Sequence, residues 1–237
     1  MIKYTDREKE IAIEFAHDLV DCGVYNYIDN TYHCFTDSNE AQAFCDERNR
    51  KRQAFYSNLK ALPYDTTVAS GSTRGVFMRD DGELDNWVIK VDFKDNSYDY
   101  CKREVGFFAE AVSEGVDWAF AATYFLCEIE GINFYIQERL DCGAEYESYS
   151  SSKIREYLIE EVGITQDDDE DDDDYECRLA DYGDSWLEWD DVLVCLIHDS
   201  DVEDFVYSHN INDLHSGNYG MLPDGIIKIV DYCGYME

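Results

Sequence analysis

Asn212-Asp213-Leu214-His215-Ser216-Gly217-Asn218-Tyr219-Gly220-Met221-Leu222-Pro223-Asp224-Gly225-Ile226-Ile227-Lys228-Ile229-Val230-Asp231 is the stretch on which the reading of the fold turns. Pro223-Asp224-Gly225 has the residues of a tight turn, and the β-branched run at 226–230 has strand composition. The stretch therefore predicts a hairpin that closes on Asp231. Asp213, His215 and Asn218 stand in the polar run just before it. Upstream, residues 202–208 and 186–198 read as helices, the second presenting Trp189, Leu193 and Leu196. Ile154, Tyr157, Leu158 and Val162 give a further helical spacing. Residues 167–174 are eight consecutive acids, which cannot pack together and so predict a solvated loop or disordered insertion.

Further back the pattern changes to short strands. Thr67-Val68-Ala69 leads into the turn-rich Gly71-Ser72-Thr73-Arg74-Gly75, and Val76-Phe77-Met78 follows. Asp80-Asp81-Gly82 signals a turn before the strand Trp87-Val88-Ile89-Lys90-Val91. Residues 98–114 predict a helix with Val105, Phe108, Ala109 and Val112 on one face. Two strands, 121–128 and 133–138, flank the turn Glu130-Gly131, so the middle third reads β-turn-β-α-β-β.

The N-terminal part is helical. Thr5 and Glu8 form a capping-box pattern, Ile11, Phe15 and Leu19 recur every fourth residue, and Gly23 supplies a stop. A polar, aromatic-spotted connection is expected at 25–35, then a second helix over 38–62 that ends at Pro63. That helix carries Arg48, Arg50, Lys51 and Arg52, the one dense basic cluster, read as an internal partner for acidic surface.

Composition sets the setting. The 237 residues hold 54 Asp and Glu against 19 Lys and Arg, a net charge of −35. Such a field repels DNA, RNA and anionic lipid, so direct nucleic-acid or membrane binding is not expected. With 45% hydrophobic residues, 19 Tyr and 12 Phe, the chain has material for a folded core, and its acids belong on the surface. Nine scattered cysteines with no Cys-x-x-Cys spacing read as reduced, mostly buried thiols in a cytoplasmic protein. No signal core and no run near the roughly 20 apolar residues of a membrane span is present.

A glycine-bearing β-turn, a lysine closing a Val-Ile-Lys strand, a helix with a glutamate, then Asp-Leu-x-x-x-Asn and an Asp closing an apolar strand occur here in that order. Over residues 66–237 this resembles the protein-kinase-like fold. The resemblance implies an α+β, two-lobed chain: an N-terminal helical extension (1–65), a β-rich N-lobe (66–140) and a reduced helical C-lobe (141–237) holding the acidic insertion. It also implies phosphoryl transfer, which depends on positioning and charge neutralisation. Gly71, Ser72 and Gly75 would lie against nucleotide phosphates. Lys90 matches the lysine on the α- and β-phosphates, and Glu104 the helix glutamate that orients it. Glu110 competes for that role; Glu104 is preferred because Val105, Phe107 and Phe108 surround it. Asp213 matches the aspartate that takes or orients the acceptor's proton. Asn218 and Asp231 match the Mg²⁺ ligands, two oxygen donors at the ends of one hairpin. His215, where typical protein kinases have lysine, makes Asp-Leu-His-x-x-Asn closer to small microbial and phage kinase-like proteins and aminoglycoside-type phosphotransferases. Backbone groups at Glu138 and Leu140 would bind adenine. ATP and Mg²⁺ are the implied cofactors.

The departures are Ile211-Asn212 in place of His-Arg, Cys233 where the glycine of the Asp-Phe-Gly motif stands, and an end six residues after Asp231, too short for an activation segment. The acceptor is expected to be a protein hydroxyl or a small molecule. The alternative is a catalytically weak or inactive kinase-like interaction protein: a phage-type anti-defence factor in the host cytoplasm, its acidic surface mimicking DNA for a basic protein partner.

Overall fold

The computed structural model of the chain describes residues 3–29, 38–70, 73–94, 99–142, 159, 163–166, 170–187, 200–211, 218–223 and 226–233. The protein is α+β and divides into two compact units, residues 1–110 with 121–139, and residues 111–120 with 140–237. Among the described residues no helix is long and apolar enough to cross a membrane.

In the first unit the opening helix α1 (Asp6–Cys22) begins as its sequence predicts. The Thr5 hydroxyl accepts the Glu8 N–H, and the Glu8 side chain accepts the Thr5 N–H, a capping box that satisfies two donors a helix start leaves open. Gly23 ends the helix in the left-handed region at φ 92°, where glycine carries no Cβ penalty. The residues expected as a connection begin with a short helix, α2 (Val24–Ile28). Burial explains it: Val24, Tyr27 and Ile28 are core residues, so packing sets the backbone there despite aromatic and β-branched residues of modest helix propensity. Helix α3 (Ser38–Leu59) stops three residues short of the expected end, its last turn anchored by buried Phe55 and Leu59.

Strands β1 (Asp65–Ser70), β2 (Arg74–Asp80) and β3 (Trp87–Asp92) are followed by helix α4 (Tyr100–Glu114) and the hairpin β4 (Thr123–Ile129) and β5 (Ile132–Glu138). They form one antiparallel sheet in the order β1-β2-β3-β5-β4. The β4–β5 turn places Glu130 and Gly131 at φ 52° and 77°, the paired positive angles of a tight two-residue hairpin. One sheet face carries Phe77, Trp87, Ile89 and Phe93, and the N-terminal segment covers it: Tyr27 of α2 and Phe55 of α3 pack on Phe77, and Tyr4, just before α1, packs on Trp87. Trp87 also donates its indole N–H to Glu8 at 3.0 Å, which fixes α1 to the central strand. The opposite face takes α4. Because β3 is covered on both sides, its residues Trp87 to Val91 are all buried, and Lys90 is among them.

The buried stripe of α4 is Cys101, Glu104, Phe108 and Ala111, while Val105 and Val112 sit at its edge and Ala109 is exposed. The expected face was thus displaced by about one position, since an apolar count passes over a buried glutamate.

In the second unit a 3₁₀ turn (Asp117–Ala119) leads to Phe120, which bridges in parallel to Ile229 and packs edge-on against Phe205 and Tyr232. Phe205 belongs to helix α6 (Ser200–Ser208), close to the expected 202–208. The C-terminal hairpin pairs β6 (Tyr219–Met221) with β7 (Ile227–Ile229), as its sequence predicts. Helix α5 (Asp172–Leu187) corrects the reading of the last three residues of the acidic run, while residues 167–169 lie outside the described residues. Asp172, Asp173 and Asp174 form its first turn, where three carboxylates meet the positive end of the helix dipole instead of lying in a loop. Arg178 further ties Glu170 to the helix by a two-pronged contact at 2.7 and 2.8 Å. Most of the helices expected at 154–162 and 186–198 lies outside the described residues. The thiols also differ from expectation: of seven described cysteines only Cys22, Cys101 and Cys233 are buried.

Candidate functional site

Register explains how a polar line forms inside the first unit. Arg74 lies opposite Asp92, Val76 opposite Lys90, Val88 opposite Gln137, and Gln137 opposite Thr123. Because side chains alternate, Arg74, Lys90, Gln137 and Thr123 share one sheet face across four adjacent strands. Each is buried, and α4 brings Glu104 down onto the line, itself 0% exposed.

The contacts are close. Lys90 Nζ donates to Glu104 Oε2 at 2.7 Å and to Gln137 Oε1 at 3.3 Å. Gln137 Nε2 donates to Thr123 Oγ1 at 2.8 Å, and Thr123 Oγ1 donates to the Ala121 carbonyl at 3.0 Å. Arg74 Nη1 approaches the other carboxylate oxygen, Glu104 Oε1, at 2.8 Å. That contact lacks hydrogen-bond alignment, so it is Coulombic in the first place. One carboxylate thus holds two cations, one on each oxygen. A buried charge of this kind persists only when paired, and Glu104 is paired twice.

Asp92 sits at the start of α4 and accepts the Cys101 N–H at 3.1 and 3.2 Å. Burial raises its carboxyl above the ordinary range, and the Cys101 N–H together with Arg74 and Lys90 only partly offsets this. Burial likewise pushes the Cys101 thiol well up, with the Asp92 charge adding to the effect.

Of the residues expected to act together, Lys90 and Glu104 are in direct contact, and exposed Glu110 is not the partner. Gly75 lies buried in β2. A Cβ there would meet Tyr27 Cε1 at 2.9 Å and the Phe77 ring at 3.0 Å, so the position needs glycine for packing under Tyr27. Gly71, Ser72, Asp213 and His215 lie outside the described residues. The Glu138 N–H is bonded to the Ala122 carbonyl at 2.8 Å, and the Glu138 carboxylate accepts the Ala122 N–H at 3.2 Å. Leu140 belongs to the second unit, where Gly220 packs so closely that a Cβ on it would come within 2.6 Å of Leu140 Cβ.

Asn218 and Asp231 also belong to the second unit and flank its hairpin. The Val230 N–H donates to the Asn218 carbonyl at 2.8 Å, so the two ends of the hairpin meet at these residues. Asn218 is buried, and Asp231 accepts a weak thiol contact from Cys233 at 3.6 Å. An amide and a carboxylate are hard oxygen donors, the type Mg²⁺ takes.

Sequence reasoning missed Arg74, Asp92, Gln137 and Thr123. The signal for Arg74 was its alternation with Val76 in a strand, hidden by flanking residues that read as a turn. Compared with family models, curated proteins and solved structures, the chain matches none.

Proposed function

We propose that the chain is an ATP- and Mg²⁺-dependent phosphotransferase of the protein-kinase-like kind, its acceptor a protein hydroxyl or a small molecule. The observation that carries this reading is the buried Lys90–Glu104 pair at 2.7 Å between a central strand and a helix. A lysine–glutamate pair in that setting is a requirement of kinase phosphoryl transfer, since it holds the ammonium where nucleotide phosphates lie. In this reading Asn218 and Asp231 hold Mg²⁺, which neutralises phosphate charge when bound. Asp213 accepts the acceptor's hydroxyl proton, and His215 donates toward the transferred phosphate. Backbone groups at Glu138 and Leu140 bind adenine in this reading.

The net charge of −35 supports a second reading, an interaction protein that offers an acidic, DNA-like surface to a basic partner. One experiment separates the two. Incubation with radiolabelled ATP and Mg²⁺ is expected to give phosphate transfer, to itself or to an added acceptor, that falls about a hundredfold or more in Asp213→Ala. No transfer, together with salt-sensitive displacement of DNA from a basic protein that Asp213→Ala leaves intact, favours the second reading instead.

A further inference from the structure

We infer that Arg74 is a positioning residue that keeps Glu104 in place while Lys90 engages an anionic phosphate. This rests on the nucleotide-binding reading above and deepens it.

The inference starts from a charge problem. Glu104 is fully buried and Lys90 has one ammonium, held on Glu104 Oε2 at 2.7 Å. Once that ammonium turns to a phosphate, its hold on the carboxylate weakens. A buried carboxylate that loses its only cation becomes uncompensated, which strongly opposes the turn. Here a second cation is built in: Arg74 reaches the other oxygen, Oε1, at 2.8 Å. The two cations do not compete for one oxygen, so one can leave while the other stays.

The side chains suit the two tasks. Lysine is a compact point charge on a flexible stem, able to reorient; a guanidinium is planar and fixed in direction. Arg74 is only 4% exposed, donates from Nε to Thr73 Oγ1 at 3.2 Å, and lies over the Tyr100 ring at 5.5 Å. It is therefore fixed from several sides. Lys90 also donates to Gln137 Oε1 at 3.3 Å, a neutral partner that its ammonium can keep when it shifts off Glu104. Arg74 and Lys90 place two cations on one buried carboxylate, so one cation remains on Glu104 when the Lys90 ammonium turns away.

The test is ATP affinity at saturating Mg²⁺, by titration calorimetry, for wild type, Arg74→Met and Arg74→Lys, with thermal unfolding of each and Arg79→Met as a control for a buried arginine of the same strand. Arg74→Met is expected to weaken ATP binding roughly tenfold, and Arg74→Lys to recover part of it, because lysine restores a charge for Glu104 Oε1 but not the fixed, stacked guanidinium. Arg79→Met, outside the cluster, should leave affinity within about twofold. Should Arg74→Met fail to fold, nuclear magnetic resonance on the wild type decides. The Arg74 guanidinium protons are expected to stay protected from exchange in the ATP complex while the Lys90 ammonium signal shifts. Unchanged affinity in Arg74→Met, equal losses in the Met and Lys variants, or loss of Arg74 protection on ATP binding overturns the inference and leaves the nucleotide reading standing. A wild type that binds no ATP at millimolar concentration overturns both.

Discussion

Glu104 and Asp92 show two ways in which one unit handles a buried carboxyl. Glu104 is held by two cations, whereas Asp92 has mainly the Cys101 N–H, and burial raises its carboxyl above the ordinary value. A raised folded-state value means that the folded protein holds the proton more tightly than the unfolded chain. Stability from this group is therefore complete below the ordinary carboxylate range and is lost as pH rises through the raised value. Asp92→Asn keeps an oxygen for the Cys101 N–H and removes the ionisation. Relative to wild type, the variant is expected to gain stability as pH rises from about 4 toward neutrality. Urea unfolding at a series of pH values checks this; a difference that stays constant with pH contradicts it. Lys90 and Glu104 were legible in the sequence because strand end, helix and order point to them. Arg74, Gln137 and Thr123 were not, because their meeting depends on which strands are neighbours. The order β1-β2-β3-β5-β4 is a tertiary fact that no local pattern states.

Among the elements, α1 was the most legible, since its cap, apolar spacing and glycine stop are all local. Its first turn does more than the pattern shows. Glu8 closes the capping box and also accepts the Trp87 indole N–H, so the helix start is tied to β3. Partial burial pushes the Glu8 carboxyl up, but the Thr5 and Trp87 hydrogen bonds together hold it below the ordinary range. A lowered folded-state value gives stability that is present above the ordinary carboxylate range and lost as pH falls through the lowered value. Glu8→Ala is expected to cost about 1–2 kcal/mol at neutral pH, with exposed Glu10→Ala near zero. The Glu8 penalty should shrink on acidification toward about pH 3, read by chemical unfolding. A penalty that does not change with pH contradicts the dual role. The acidic run was harder to read: like charges do keep residues 171–174 exposed, yet a helix start accommodates them through its dipole. In α4 a periodicity of apolar residues misplaced the buried face because Glu104 occupies its centre.

At the scale of the whole molecule the net charge of −35 has a structural counterpart. Many cations are engaged internally: Arg74 and Lys90 on Glu104, Arg79 on Asp81, Arg139 on Asp80, and Arg178 on Glu170. In the basic cluster of α3, Arg50 and Lys51 both face Glu47, and Arg52 lies over the Tyr27 ring at 5.7 Å. The cations organise the interior and the helix surfaces, and the excess acids set the field outside. In the proposed reading an anionic nucleotide would approach against that field, so its binding would need Mg²⁺ and a cation at the phosphates. Lys90, with Arg74 beside it on Glu104, is in that reading the cation that would meet the phosphates. The most direct test is titration calorimetry with ATP at millimolar Mg²⁺, comparing wild type with Lys90→Met. The wild type is expected to bind, and Lys90→Met to bind about tenfold or more weakly. Equal affinity in the two proteins, or no binding by the wild type at millimolar ATP, contradicts a nucleotide-phosphate role for the Lys90–Glu104 pair.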